Sequence, residues 1–364
     1  MNLAIKHANI LPARTWIRLG LNDAEVSGEI PEAAPYAGDR PLGNLPSGVT
    51  LFSGPSPAAE LKTGMGRETE NFIKKNKNCG FGIRVAAGVH ADKPVFFTYR
   101  IGKTSPYVVD ETTVIAEKGS EVTVVVSYLG DGEDPCFHAG ATRIYAEKDA
   151  AVHLVMVQML GDRCLSLDDI GASAQENGFV DVTQAELGGK QAYAGCRAGL
   201  EGRKSRFELN EIYFGDKDRS LDINDVAQHL GEKTRSEIHV SGALLDRSEK
   251  TFRGTIDFIK GSKQAVGRES EFNLLFSPAV RNRTAPLILC SEEDVDGQHA
   301  ATTGKIDEDK LFYLMTRGLS ELDAKKLIIE AQFRPVTDRI PDGGLRNSVL
   351  EYVKERLNRI EPLS

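Results

Sequence analysis

The stretch from about residue 86 to Cys290 is a succession of short β-prone runs separated by Gly, Asp, Asn and Lys. The starts of its later runs are spaced by about 15 residues, a rhythm typical of all-β folds. Sandwiches and barrels also contain short strands, but here the rhythm continues for about 200 residues without a closing pattern. Because the repeat is in length rather than in letters, it predicts a stacked β-helix with about two strands per coil.

Two further regions flank this core, which we place at residues 86–292. Residues 1–85 are rich in Pro, Gly and acidic residues and are expected to form helices and loops. Residues 293–364 carry helical patterns. A β-helix leaves unpaired strand edges at both ends, so the two flanking regions are expected to cap it. The predicted fold class is therefore mainly β, with helical regions on both sides of the core.

Two of the C-terminal helices have clear start signals. Asp307 can cap the first of them, and Ser320 begins a capping box for the second, which is expected to end at Pro335. The faces predicted to point inward are Leu311, Leu314 and Met315 in the first helix and Leu327, Ile328 and Ala331 in the second.

The charge balance restricts the class of partner. The chain has 53 acidic and 45 basic residues, a net charge of -8, whereas proteins that bind nucleic acids concentrate positive charge. No apolar run approaches the ~18 to 20 residues needed to span a bilayer. The start, "MNLAIKHANILPARTW", lacks the apolar core of a secretion signal. We therefore expect a cytoplasmic protein.

The cysteines are scattered, odd in number and never arranged as C-x-x-C, so neither a disulfide framework nor a closed zinc site is indicated. All five are expected to be thiols: Cys79, Cys136, Cys164, Cys196 and Cys290.

No self-contained catalytic motif is present. Residues 102–104 match the tail of a phosphate-binding loop, but the leading glycine is replaced by Phe97, so we expect a strand that ends in a turn and no nucleotide bound by this chain. Cys136 and His138 supply at most two of the ligands that a zinc site needs and are expected to be a buried thiol and a strand histidine. The common hydrolase signatures are missing, which indicates a protein that is not an enzyme.

His299 is harder to explain by packing. It lies between the acidic "SEEDVD" and the small "AATTG", where no apolar stripe or helix face calls for an imidazole. Neutral imidazole is a good ligand for iron or zinc. One ligand does not make a metal site. A histidine that hydrogen-bonds a nearby carboxylate or carbonyl group at a strand-to-helix junction would explain its presence in this sequence equally well. Both interpretations remain open at this point.

The segment around this histidine, "EEDVDGQHAATTGKIDEDKLFYLMTRGLSELDAKKLIIEA", resembles the SufB/SufD family, the scaffold proteins of the SUF iron–sulfur cluster assembly system. "LPARTWIRL" near the start is similar to the family's entry segment, and the β-rich middle suits its right-handed β-helix. The run from His299 to Thr302 reads His-Ala-Ala-Thr, which resembles the D-type partner, whereas the B-type partner has a glutamate where Ala300 stands. Cys290 is the candidate for the sulfur-accepting cysteine that the B-type partner carries upstream of its histidine.

The resemblance implies a scaffold that pairs through its β-helix with a B-type chain and binds the ABC-type ATPase SufC through its C-terminal helices. The expected ATPase contacts are Phe312, Tyr313, Arg317 and Gly318, and His299 and Cys290 are candidate ligands of iron or of a transient iron–sulfur cluster. One alternative is a homodimeric or B-type-like scaffold that itself holds the nascent cluster. An alternative from another class is a β-helical carbohydrate-binding protein or polysaccharide lyase, although such proteins are usually exported.

Overall fold

The computed structural model describes residues 1–15 and 19–358 of the chain. Trp16 of the "LPARTWIRL" resemblance lies outside the described residues, as do Ile17 and Arg18. The body is built from two long sheets, which we call sheet I and sheet II. Sheet I contains β3 (Val49–Phe52), β4 (Cys79–Val85), β6 (Tyr107–Ala116), β8 (Cys136–Ala146), β10 (Cys164–Ala174), β12 (Gln191–Leu200), β14 (Ser220–His229), β16 (Glu249–Phe258) and β18 (Arg281–Cys290). Sheet II contains β5 (Val95–Ile101), β7 (Glu121–Gly130), β9 (Ala151–Met159), β11 (Phe179–Glu186), β13 (Arg206–Gly215), β15 (Arg235–Leu244), β17 (Ala265–Leu275) and β19 (Val295–Lys305).

From β4 onward the chain alternates between the two sheets, and each strand pairs in parallel with the strand two positions further along. Two strands therefore make one coil, and about eight coils stack into a parallel β-helix. This confirms the predicted fold class and the two-strand coil. The turns repeat as well, because a residue with left-handed backbone recurs once per coil at the same corner. These residues are Asp149, Asn177, Lys204, Lys233 and Gln264.

The interior between the sheets is filled by columns of side chains from paired positions. Parallel strands in register point equivalent residues to the same face, so Leu154, Val182, Leu209 and Ile238 stack in one buried column of sheet II. Each coil thereby buries the apolar residues of the next, which a single coil could not do.

The C-terminal region forms α2 (Glu308–Thr316), α3 (Glu321–Thr337) and α4 (Gly343–Asn358). The two predicted caps are confirmed, since Asp307 accepts from the N–H groups of Asp309 and Lys310, and Ser320 accepts from that of Asp323. Helices α3 and α4 pack on the outer face of sheet II. Their buried side chains include Ile329, Phe333, Val336, Val349, Val353 and Leu357.

Two expectations for these helices are wrong. Helix α3 continues through Pro335 to Thr337, since proline breaks a helix mainly by removing one N–H bond and here only the last turn follows. Its inward face is also not the predicted one, because Leu327 and Ala331 are exposed while Ile329 and Phe333 are buried. The sheet that α3 covers decides which of its apolar residues are buried.

The N-terminal region is less helical than expected. It forms an antiparallel pair, β1 (Asn2–Ala8) and β2 (Ala24–Glu29), a 3₁₀ turn at Pro57–Glu60 and one helix, α1 (Arg67–Asn76). The strand β1 alternates buried and exposed residues, a period-two pattern that favours a strand. This region covers the outer face of sheet I, where Gly64 lies so close to the β12 backbone at Gly195 that a side chain would clash.

The β-helix extends beyond the expected boundaries at both ends, since β4 begins at Cys79 and β19 ends at Lys305. The stretch "GQHAATTGK" has no apolar alternation, but it pairs with β17 through its backbone over its whole length. Its assignment to the helical region was therefore wrong. The helices also do not cap this end, since α3 and α4 lie along the side of sheet II.

The expectation of five thiols is wrong for one pair. Cys136 and Cys164 occupy directly paired positions of β8 and β10, one coil apart, and form a disulfide inside the β-helix. Register places the two side chains together although they are 28 residues apart in sequence. Cys79, Cys196 and Cys290 are free. Cys136 and His138 are both buried, as expected, and His138 bonds Asp110 and Ser166 at 3.1 Å each.

Candidate functional site

The C-terminal end of the β-helix is open. Strands β18 and β19 are the last strands of their sheets, and within the described ranges no strand pairs with their outer edges. At the other end of sheet I, the short strand β3 runs antiparallel to β4 and is the terminal strand. Unpaired backbone N–H and C=O groups on two adjacent edges form a template for pairing with another chain.

His299 lies in the middle of β19 and not at a strand-to-helix junction as expected, because the strand continues to Lys305 and α2 begins only at Glu308. Its backbone pairs with Glu269 of β17, so its side chain lies on the inner face of the sheet, above the buried Glu269. His299 is exposed, since β19 is the last strand of sheet II among the described residues. Across the part of the chain that the structure describes, its ring makes no hydrogen bond or ion pair, so the hydrogen-bonding interpretation has no partner here.

Cys290 is the last residue of β18 and pairs with Phe258, whose ring is buried in the interior. It therefore lies on the inner face of sheet I in the last coil. The thiol is exposed and lies 3.0 Å from the carbonyl oxygen of Glu292, to which it can donate. The fold thus brings Cys290 and His299 to the inner faces of the same open coil, on opposite sheets.

Glu269 was missed by the sequence analysis. It is buried, and its Oε2 has no hydrogen-bond partner among the described residues. Burial, together with the charges of Asp225 and Glu271, raises the pKa of Glu269 to about 8. Gly254 of the opposite sheet leaves the space that its carboxyl group occupies. In the sequence, Glu269 and Glu271 alternate with Arg268 and Ser270, a pattern that indicates a strand. The pattern does not show which of the two sets points inward; only the register of β17 with its neighbours shows this.

We call the open end of the β-helix, formed by β18 and β19, the mouth. A buried polar network lies one coil below it. Lys250 and Glu271 form an ion pair with both side chains fully buried, and the hydroxyl of Thr284 donates to Glu271 at 2.7 Å. Lys250 also donates to that hydroxyl oxygen at 3.1 Å. Burial lowers the pKa of Lys250, although the neighbouring Glu271 opposes this effect. The interior thus changes from apolar columns to paired charges toward the open end.

The mouth does not form a complete metal site by itself. Among the residues that the structure describes, no three His, Cys, Asp or Glu side chains are grouped so that they could hold a metal ion. His299 offers one imidazole and Cys290 one thiol, both accessible from outside the coil. Any iron or cluster bound there would require further ligands from another chain or from small molecules.

Helix α2 carries the predicted ATPase contacts and has no buried residue. Phe312 is 68% exposed and Tyr313 is 56% exposed, and the Arg317 guanidinium lies 5.0 Å from the centre of the Tyr313 ring. Gly318 has a φ of +97°, a conformation that lets the chain turn sharply after the helix. The expectation that Leu311, Leu314 and Met315 face inward is therefore wrong. Exposed aromatic residues beside an arginine are typical of protein interfaces.

Helices in the described part of the chain are either too short or too polar to cross a membrane.

Comparison with known proteins gives one consistent result. The profile of the SUF system FeS cluster assembly SufBD core domain matches residues 99–332, which is more than half of the chain. An iron–sulfur cluster assembly SufBD family protein of Pyrococcus horikoshii is 28% identical over 72% of this chain and 59% of its own length. The SufD iron–sulfur cluster assembly protein of Bacillus subtilis is 20% identical over 77% of this chain and 64% of its own length.

A SufBD family protein of Mycobacterium leprae is 25% identical over 76% of this chain but only 31% of its own length. The chain thus spans less than two thirds of the length of these relatives. Their names give no support to the carbohydrate-binding alternative.

Proposed function

Because the chain belongs to the SufBD family of the SUF iron–sulfur cluster assembly system, we propose that it is a scaffold subunit that catalyses no reaction itself. The observation that carries this proposal is the open coil, which combines two unpaired strand edges with an accessible imidazole and thiol. The similarity to SufD of Bacillus subtilis favours the D-type role. The proposed place of action is the cytoplasm.

The first proposed partner is a second scaffold chain, either B-type or identical, that pairs with β18 and β19. A strand added to each edge would satisfy the free backbone groups and continue both sheets across the contact. The residues that follow His299 in β19, from Ala300 to Gly304, are small, which lets two backbones approach closely. In such a pair, His299 and Cys290 would lie at the junction between the two chains.

At that junction we assign His299 the role of one ligand for iron or for a transient cluster, completed by groups from the partner chain. Here the cluster is cargo and not a resident cofactor. Cys290 is a second, weaker candidate. Glu269 lies directly below His299 in the same inward-facing row of sheet II, so it is the carboxyl group next to the proposed ligand.

The second proposed partner is a SufC-type ABC ATPase bound through α2. On α2 the aromatic residues and Arg317 are exposed, and residues of these types are common anchors of protein interfaces. Nucleotide chemistry would then belong to the ATPase, since Phe97, at the position of the missing phosphate-loop glycine, is a buried residue of β5.

The alternative of a homodimeric scaffold that itself holds the nascent cluster is favoured by one observation. His299 and Cys290 lie on the inner faces of the last coil, and Glu269 lies one coil below. Two identical chains that met at this end would therefore supply a symmetric set of ligands.

The proposal is tested by purifying the tagged chain from its native cells and identifying bound proteins by mass spectrometry, with iron and sulfide analysis of the same sample. We expect an ABC ATPase subunit and either a second type of scaffold chain or two copies of this one. Recovery of the chain alone, without ATPase, iron or sulfide, would contradict it. Binding of the pure chain to an acidic polysaccharide would instead favour the carbohydrate-binding class.

A further inference from the structure

A cavity of about 570 Å³ lies between the N-terminal region and the outer face of sheet I. Its roof is formed by residues around Leu11 and by the segment from Ala59 to Lys74, and its floor by side chains of β8, β12 and β14. The volume falls in the range of roughly 300–1,000 Å³ that small-molecule sites occupy. It lies on a different face from α2 and belongs to neither surface proposed above.

The charged residues that line the cavity are mostly positive, although the chain as a whole carries a net charge of -8. Its cationic residues are Lys62, Arg67, Lys74, Arg143 and Arg197, against two carboxylates, Glu60 and Glu70. Glu70 is already held by the backbone N–H and the hydroxyl of Thr63, at 2.8 and 2.9 Å. Such an excess of positive charge in a concave site concentrates anions.

Arg197 is the cationic residue with the clearest capacity to bind an anion. It extends from β12, is half-buried, and donates to the neutral amide oxygen of Gln228 at 3.0 Å. Among the ion pairs of the described residues, none involves Arg197, whereas Arg143 pairs with Glu111 at 2.6 Å. The charges of Asp257 and Glu70 act on Arg197, but neither carboxylate lies at ion-pair distance, so its remaining N–H donors suit the oxygens of a phosphate or carboxylate group.

Asn224 shows that a molecule bound in this cavity needs a hydrogen-bond donor as well as negative charge. Its side chain is 1% exposed and lines the cavity, and its amide N–H donates to the carbonyl oxygen of Gly64 at 2.8 Å. Its Oδ1 has no partner among the described residues. A buried acceptor of this kind requires a donor, which an anion without hydroxyl groups cannot supply.

Two further features narrow the ligand class. Helix α1 begins at the cavity, with Gly66 at its N-cap and no side chain capping its free N–H groups, which favours a tetrahedral oxyanion. None of the described lining residues is aromatic, so the walls offer no surface on which a nucleobase could stack.

We propose that this cavity binds a small phosphate ester that carries free hydroxyl groups, such as a sugar phosphate. The phosphate group is held by Arg197 together with Arg67 and Lys74 at the mouth. A hydroxyl group of the ligand donates to Oδ1 of Asn224. Because the roof belongs to the N-terminal region and the floor to the β-helix, the bound ligand would join these two parts of the chain.

The test is isothermal titration of the full chain with glycerol 3-phosphate, ribose 5-phosphate and glucose 6-phosphate, and with inorganic phosphate and glycerol as reference ligands. We expect at least one ester to bind saturably and more tightly than inorganic phosphate, with no binding of glycerol. Arg197→Gln should weaken this binding by at least about tenfold, because it removes a charge-assisted contact.

Lys260→Gln is the matched control, since it removes an exposed positive charge that does not line the cavity, and its affinity should equal that of the wild type. If Arg197→Gln lowers the melting temperature strongly, the surface double variant Arg67→Gln/Lys74→Gln takes its place with the same expectation. Absence of saturable binding of all three esters at ~10 mM would overturn the proposal, as would equal affinities of the cavity variants and the control.

Discussion

At the scale of single residues, His299 carries the most direct functional prediction. Its side chain is exposed and has no bonding partner among the described residues, so His299→Ala should leave the melting temperature within about 1 °C of the wild type. Loss of a metal ligand weakens a site by ~10-fold or more, so the iron and sulfide contents of the purified complex should fall measurably.

His239→Ala is the control for this prediction, because His239 is exposed on the outer face of the same sheet, away from the open mouth. Normal loading of iron and sulfide by the His299 variant, at normal assembly with its partners, would show that this histidine is not a ligand.

Buried carboxyl groups inside the β-helix give a second residue-scale prediction. Both oxygens of Glu211 lack partners among the described residues, and burial, with repulsion from Asp225, raises its pKa well above the usual range. Burial likewise raises the pKa of Asp225 to about 7. In the unfolded chain both groups ionise near pH 4, so folding takes up protons between about pH 4 and 7. The stability that these groups contribute is thus present below about pH 4 and is lost as the pH rises.

Glu211→Gln removes one of these groups. The free energy of unfolding of the variant, relative to the wild type, should therefore increase between pH 5 and 7 by up to about 1.4 kcal/mol per pH unit. Urea unfolding at several pH values measures it, and Glu208→Gln, at a partly exposed position of the same strand, is the control. A difference between Glu211→Gln and wild type that is constant with pH would contradict the assignment.

Some of these functional residues could be predicted from the sequence and others could not. His299 and Cys290 could be singled out because their surroundings offer no packing reason for them. Glu269 and Glu211 could not, because an acidic residue in a strand is ordinarily solvent-facing and only the register shows that these two point inward. The disulfide of Cys136 and Cys164 was missed for the same reason.

At the scale of elements, α2 is a helix without a buried face. The double variant Tyr313→Ala/Arg317→Ala should weaken binding of the ABC ATPase by at least about tenfold, because it removes an aromatic anchor and the guanidinium that lies over it. The melting temperature should stay nearly unchanged, since both side chains are exposed. Surface plasmon resonance with the purified ATPase measures the affinity.

Arg334→Ala provides the comparison on α3, where the side chain is exposed and forms only a weak pair with Asp338 at 3.4 Å. Unchanged ATPase affinity of the α2 variant would remove this helix from the proposed interface. A large loss of stability would indicate instead that α2 packs against the body of the protein.

Elements differ in how well their sequences predicted them. The helix starts at Asp307 and Ser320 were predictable, because caps depend on a few local hydrogen bonds. The edge strand β19 was not, because its small residues carry no alternation and only pairing with β17 makes it a strand. The buried face of α3 also depends on a surface that is distant in sequence.

At the scale of the whole molecule, the even strand rhythm sufficed to predict a β-helix because each coil must match the length of its neighbours to pair with them. The rhythm could not show which end remains open, since that depends on where the flanking regions pack. They cover the outer faces of both sheets and leave β18 and β19 free. The central claim is that this free end is where a second scaffold chain binds.

The most direct test of that claim places a charge on the open edge. Ala300→Lys changes an exposed outward-facing residue of β19, and His239→Lys makes a matched change two coils earlier in the same outward row, within the sheet. Native mass spectrometry of the tagged chains purified from their own cells counts the scaffold chains in each complex. We predict that Ala300→Lys loses the second scaffold chain but keeps the ATPase, while His239→Lys retains both. An Ala300→Lys complex with the same scaffold chains as the wild type would contradict the account.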